Sequence, residues 1–114
     1  MRILAFNITH DSSVCSINNG HIEFFCKEER LSRVKRDKHP FKSLQLYKSR
    51  NFGKIDHILY CTPSNYNNQQ EYFYKEFIEK LFDVEMENFS SLSHHLCHAA
   101  SAFYNSGFKK ALTF

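Results

Sequence analysis

The stretch Val14-Cys15-Ser16-Ile17-Asn18-Asn19-Gly20-His21-Ile22-Glu23-Phe24-Phe25-Cys26-Lys27 decides the fold. Val14–Ile17 reads as a strand and His21–Lys27 as its antiparallel return. Asn18-Asn19-Gly20 supplies the tight connection, because Asn-Gly accepts the positive φ angles of a type I′ turn. Upstream, Ile3–Ile8 is a short buried strand that stops at the polar group Thr9-His10-Asp11-Ser12-Ser13. Downstream, Glu28–Lys38 is a charged extension. Pro40 then opens a helix with Phe41, Leu44 and Tyr47 at helical spacing, and Gly53 is its stop. Ile55–Thr62 is a fourth strand closed by Pro63, and Ser64–Gln70 is a polar loop. Tyr74, Phe77, Ile78 and Leu81 follow the i, i+3, i+4, i+7 rule of an amphipathic helix. Ser90–Ser93 caps a last helix that runs from His94 through Ala99-Ala100 to Tyr104, with Gly107 beyond it. Lys110–Phe114 starts a fifth strand.

The resulting order, βββ-α-β-α-(α)-β, predicts an α/β layer with a mixed sheet. That is the ribonuclease-H-like layout, which is also one half of an actin/sugar-kinase-like domain. At 114 residues with no internal repeat, the chain fits one domain. Twelve Phe and six Tyr give it the bulk for a core, which excludes a disordered segment. No apolar run is long enough for a membrane helix or a signal peptide, so the expectation is a cytoplasmic protein. A net charge of +3 is too small to argue for nucleic acid. Cys15, Cys26, Cys61 and Cys97 form no C-x-x-C pair and are expected to be reduced, mostly packing thiols. The fifth strand has no turn after it, so the chain is expected to continue past Phe114. Its open sheet edge invites pairing, including a homodimer.

Three places can carry chemistry. In Ser93-His94-His95-Leu96-Cys97-His98, His94 and His98 lie one helical turn apart on one face, where two neutral imidazoles can bind one divalent ion. Further ligands, carboxylate or water, must come from elsewhere. Cys97 points about 100° away from His98 around the helix and is read as packing. His10-Asp11 falls where the first strand meets its turn, a location where ligands collect in α/β sheets. The alternative is that Asp11, with Ser12 and Ser13, only hydrogen-bonds the turn. In the mixed-charge run Glu28–Lys38, Arg33 offers planar two-pronged donors and Lys35 a mobile point charge to a phosphate or carboxylate. A solvated face is the plain alternative.

Three blocks in register resemble the N-terminal part of the carbamoyltransferase family that includes the nodulation-factor and antibiotic O-carbamoyltransferases. They are Ile3-Leu4-Ala5-Phe6-Asn7 with His10-Asp11-Ser12-Ser13-Val14-Cys15, then Glu28-Glu29-Arg30-Leu31-Ser32-Arg33-Val34-Lys35, then His94-His95-Leu96-Cys97-His98-Ala99-Ala100-Ser101-Ala102 with Phe103-Tyr104. The resemblance implies an actin/sugar-kinase-like domain related to the tRNA threonylcarbamoyl-transfer subunit. Such a domain moves a carbamoyl group from carbamoyl-adenylate to the hydroxyl of a small-molecule acceptor. The adenylate is made from carbamoyl phosphate and ATP by another domain of the full chain, so these 114 residues alone are expected to be inactive. The same resemblance implies His94 and His98 as ligands of iron or zinc, His10 and Lys35 as active-site residues, and Asp11 and Arg33 as their flanking partners. Cys97 stands where relatives usually carry Ala, which bears on metal preference and oxidation. Two other readings compete. One is a non-catalytic half-domain that dimerises or docks on a partner. The other is a ribonuclease-H-type nuclease using carboxylates such as Asp11 and Glu23, which leaves the histidine block without a role.

Overall fold

Asn19 and Gly20 take φ of 48° and 83°, the pair of left-handed residues a type I′ hairpin needs. Around that turn the chain, a computed structural model describing residues 1–63, 68–83 and 87–112, builds its sheet. Strands β2 (Ser13–Asn18) and β3 (His21–Lys27) pair antiparallel with an irregularity at Ser16/Ile17, and β1 (Arg2–Asn7) pairs antiparallel with β2. On its other side β1 pairs parallel with β4 (His57–Thr62), and β4 pairs parallel with β5 (Phe89–Ser93). The order across the sheet is β3-β2-β1-β4-β5, so the mixed α/β sheet expected from the pattern is present.

Alternation along the strands sorts the two faces. Leu4, Phe6, Val14, Ile58 and Tyr60 are buried on one face, where they meet Leu44 and Tyr47 of α2 (Phe41–Arg50) and Tyr74 and Ile78 of α3 (Asn68–Phe82). Phe6 stacks on Tyr60 with ring centroids 5.8 Å apart, and Phe41 ties the helices together at 5.0 Å from Phe77. Ile3, Ala5, Leu59 and Cys61 occupy the opposite face and are only half-buried. Helix α4 (His94–Tyr104) covers the end of that face beside β4 and β5, and none of its residues is buried.

Several expectations need correction. The fifth strand is Phe89–Ser93, directly before the histidine helix, and not Lys110–Phe114. Residues 110–112 are in no strand, so the sheet edge proposed there does not exist among the described residues, and residues 113–114 lie outside them. β5 and β3 are the strands at the two edges. Ser90 and Ser91 therefore belong to a polar, half-exposed edge strand, and only Ser93 caps α4, its Oγ accepting from Leu96 N at 3.1 Å. The helix α2 ends at Asn51 in the left-handed conformation, two residues before Gly53. Of the loop Ser64–Gln70, residues 68–70 are already helical and 64–67 lie outside the described residues.

The charged extension is also more ordered than its composition suggests. Glu29–Ser32 forms a single helical turn, α1, capped by Arg33 at φ 61°. Glu28, in the middle of a charged run, is only 1% exposed. Its two carboxylate oxygens accept from Lys42 N at 3.0 Å and Ser43 N at 2.8 Å, the free donors at the start of α2. A carboxylate placed there satisfies orphan N–H groups and complements the helix dipole, which is what makes its burial tolerable.

Candidate active site

Three parallel strands bring their carboxyl ends to one edge of the sheet, the usual ligand-binding position in open α/β layers. Ile8 N donates to Cys61 O at 3.2 Å, so β1 and β4 stay paired to their ends and deliver Thr9-His10-Asp11 beside Pro63. The register that sets Thr62 opposite Ser93 sends the chain from β5 straight into α4, placing His94 at the same edge. His10 and His94 rings accordingly lie edge to face with centroids 6.4 Å apart. Residues distant in sequence thus meet because the parallel strands end together.

A cleft of about 570 Å³ opens here, lined by Ile8, Thr9, His10, Asp11, Arg36, Lys38 and Pro63. The cationic wall comes from the charged segment, anchored when Ser12 N donates to Asp37 O at 2.8 Å and Glu28 N to Ser12 O at 2.9 Å. Of the residues expected from sequence, His10 and Asp11 line the cleft. Arg33 and Lys35 are exposed on the same segment but do not line it. Arg36 and Lys38 do, and sequence reasoning passed over them. The cue was weak, because in a run of mixed charge only the turn at Arg36, with φ 58°, decides which cations face the strand ends.

Asp11 itself sits at φ 61°, a conformation that Asp tolerates better than most residues. His10 Nδ1 is 2.9 Å from Asp11 Oδ2, and Lys27 Nζ is 3.2 Å from Asp11 Oδ1. These two hydrogen bonds, His10 first and Lys27 second, hold the Asp11 carboxyl below the usual carboxylate range. An ionised Asp11 accepts from His10 Nδ1–H and leaves Nε2 as the imidazole's basic nitrogen. His10 is well exposed, so Nε2 is open to a ligand.

On α4 the one-turn relation holds as the spacing requires. His94 Nε2 and His98 Nε2 are 2.9 Å apart, with ring planes at 87°. Burial, then the neighbouring His98, His95 and His10, hold the His94 imidazole below its ordinary range, which favours the neutral ring. His94 Nδ1 lies 3.7 Å from Cys61 Sγ at the end of β4. The 2.9 Å spacing of the two Nε2 atoms is a hydrogen-bond distance; two bonds of about 2.0–2.1 Å to one tetrahedral ion would set the nitrogens about 3.3 Å apart, so the rings are within reach of a shared cation after a small opening. Among the described residues, no group of three or more His, Cys, Asp or Glu side chains is gathered to hold a metal ion, so the pair is at most a partial ligand set. Glu23, offered to a nuclease, pairs instead with Arg2 at 2.6 Å and accepts from Ser16 Oγ at 2.8 Å.

Comparison with known proteins yields one informative similarity. The chain is 29% identical over 126 aligned positions to nodulation protein NolNO of Sinorhizobium fredii, covering 90% of this chain and 18% of NolNO. The chain therefore spans about a fifth of that relative's length. The similarity supports the resemblance drawn from the three sequence blocks. No protein-family profile and no solved structure matches the chain.

Proposed function

We propose that this chain provides one wall of an O-carbamoyltransferase site, where a carbamoyl group passes from carbamoyl-adenylate to an acceptor hydroxyl. The observation that carries this reading is the meeting of the His94–His98 pair with the His10–Asp11 cleft at the carboxyl edge of the sheet. The similarity to NolNO and the mixed five-stranded sheet, β3-β2-β1-β4-β5, with helices packed on it support it.

In this reading the acceptor oxygen attacks the carbamoyl carbon, the bond from that carbon to the adenylate oxygen breaks, and AMP leaves. His10 Nε2 takes the hydroxyl proton, with Asp11 holding the ring through Nδ1 and stabilising the imidazolium. Arg36 and Lys38 hold the adenylate phosphate, whose negative charge grows as the leaving bond breaks. His94 and His98 would hold a divalent ion such as iron or zinc, with further ligands from outside this pair, and the chemistry it would supply is positive charge to polarise the transferring carbonyl. ATP and carbamoyl phosphate enter as the source of the adenylate.

The test is transfer of the labelled carbamoyl group from carbamoyl-adenylate to an acceptor by the full-length protein. His10→Gln lowers the rate by about 10²–10⁴-fold with little change in stability, as for the loss of a general base. A rate unchanged in His10→Gln removes His10 from the chemistry.

A second reading keeps one observation of its own. Leu96 and Leu112 are 55% and 85% exposed, and with Ala99, Ala100 and Phe103 they line an apolar groove beside α4. A docking module that associates through this face predicts a stable dimer by light scattering that neither binds metal nor transfers carbamoyl groups.

A further inference from the structure

Lys38, on the cationic wall of the cleft, is followed directly by His39, the last residue before Pro40 and helix α2. His39 is exposed, yet its ring is held on two sides. Its Nδ1 shares a hydrogen bond of 2.6 Å with the Tyr74 hydroxyl, and Tyr74 is buried. One face of the ring stacks on Phe41, with centroids 5.4 Å apart and planes at 9°. Phe41 is in turn packed on Tyr74, at 6.3 Å, and on Phe77, at 5.0 Å. The backbone is tied as well, because His39 N donates to Asp37 Oδ1 at 3.2 Å.

An exposed imidazole ordinarily keeps its rotamer freedom. Here a bond on one edge and a ring on one face remove it, so the other face stands outward as a flat, preorganised surface. Capping the Tyr74 hydroxyl accounts for the bond alone. It does not account for the parallel stack on Phe41 next to two cations that line the cleft. A ligand with a phosphate at one end and a flat heteroaromatic ring at the other matches that juxtaposition. Arg36 and Lys38 offer charge-assisted donors to the phosphate, and an aromatic face suits the ring, because every nucleobase has a π surface.

We propose that His39 is the stacking platform for the adenine of carbamoyl-adenylate when its phosphate rests on Arg36 and Lys38. On the reading of the cleft given above, on which this rests, the base is the nucleotide's second anchor. Stacking on one ring reads no base edge, so the platform contributes affinity, about tenfold, and little discrimination among bases.

Photolabelling of the full-length protein with 2-azido-AMP, followed by peptide mapping, locates the base. The concentrations of AMP and of ribose 5-phosphate that displace the label from one peptide report affinity at that site alone. The expected result is label on a peptide carrying residues 36–41, displaced by AMP at about tenfold lower concentration than by ribose 5-phosphate. In His39→Ala that difference disappears, and in His39→Phe it stays. Both variants lose the Tyr74 bond and only His39→Ala loses the ring, so the pair separates stacking from a merely structural role. Label found only outside residues 36–41 overturns the inference, as does an unchanged difference in His39→Ala or an equal loss in both variants. A protein that transfers carbamoyl groups yet shows one of those three results overturns the platform and keeps the reading of the cleft. A protein that stacks AMP on His39 and transfers no carbamoyl group overturns that reading and keeps the platform.

Discussion

Replacing Glu28 tests whether a residue inside a charged run is a structural keystone. Its carboxylate is 1% exposed and takes two backbone donors of α2, from Lys42 and Ser43. Glu28→Gln keeps one acceptor oxygen and turns an amide NH₂ toward the other N–H. That loses one charge-assisted bond, about 1.5–3 kcal/mol, and the carboxylate's interaction with the helix dipole, about 0.3–1 kcal/mol. Glu28→Ala strands both donors and costs about 3–4 kcal/mol, a large share of the roughly 5–15 kcal/mol of a whole domain. Glu29→Ala is the matched control. Its partner Lys27 is 3.2 Å away with side chains 36% and 24% exposed, and a pair of that kind is worth at most about 1 kcal/mol. Urea denaturation with a constant m-value measures all three. Equal costs for Glu28→Ala and Glu29→Ala, both under about 1 kcal/mol, would refute the reasoning.

Two further outcomes follow from the charges around the cleft and the sheet end. Asp11 (through His10 and Lys27), Glu23 (through Arg2), Asp37 (through Ser32) and Asp56 (through Arg2 N–H) all have carboxyls held below their ordinary range. The unfolded chain therefore takes up protons first as pH falls. Stability is full above the ordinary carboxylate range and is lost as pH drops through it toward the lowered folded-state values, so the urea midpoint falls between about pH 6 and about pH 3, and a flat midpoint contradicts the sign. Second, Arg36→Ala with Lys38→Ala weakens AMP binding by about tenfold, or about 1.4 kcal/mol. Arg33→Ala with Lys35→Ala, outside the cleft, leaves calorimetric affinity at low salt within about twofold. Equal losses would mean that net charge, not cleft geometry, holds the anion.

What the sequence made legible is local. The hairpin at Asn19-Gly20, the amphipathic face of α3, the Ser93 cap and the one-turn histidine pair are short-range patterns, and each appears where its spacing puts it. β5 was hidden because Phe89-Ser90-Ser91-Leu92-Ser93 is half-exposed at a sheet edge and carries three serines, so neither apolar alternation nor β-branching marks it. The burial of Glu28 was hidden for the opposite reason. Its partners are main-chain donors at the start of a helix thirteen residues on (41 − 28), and side-chain chemistry alone gives no sign of them. His10 and Asp11 were found from their place at a strand end, whereas Arg36 and Lys38 depend on how one loop turns. The 3.7 Å approach of Cys61 Sγ to His94 Nδ1 depends on parallel pairing of β4 with β5, a register that composition does not encode.

The central claim is that His94 and His98 together hold a cation beside the His10 cleft. Its most direct measurement is the metal bound per chain, by elemental analysis after loading with ferrous iron or zinc and removal of excess ion. The account predicts bound metal in the reduced protein, loss of it in the His94→Ala, His98→Ala double variant, and retention in His95→Ala, whose ring lies on a different side of α4. Equal metal content in the wild type and the double variant would contradict it.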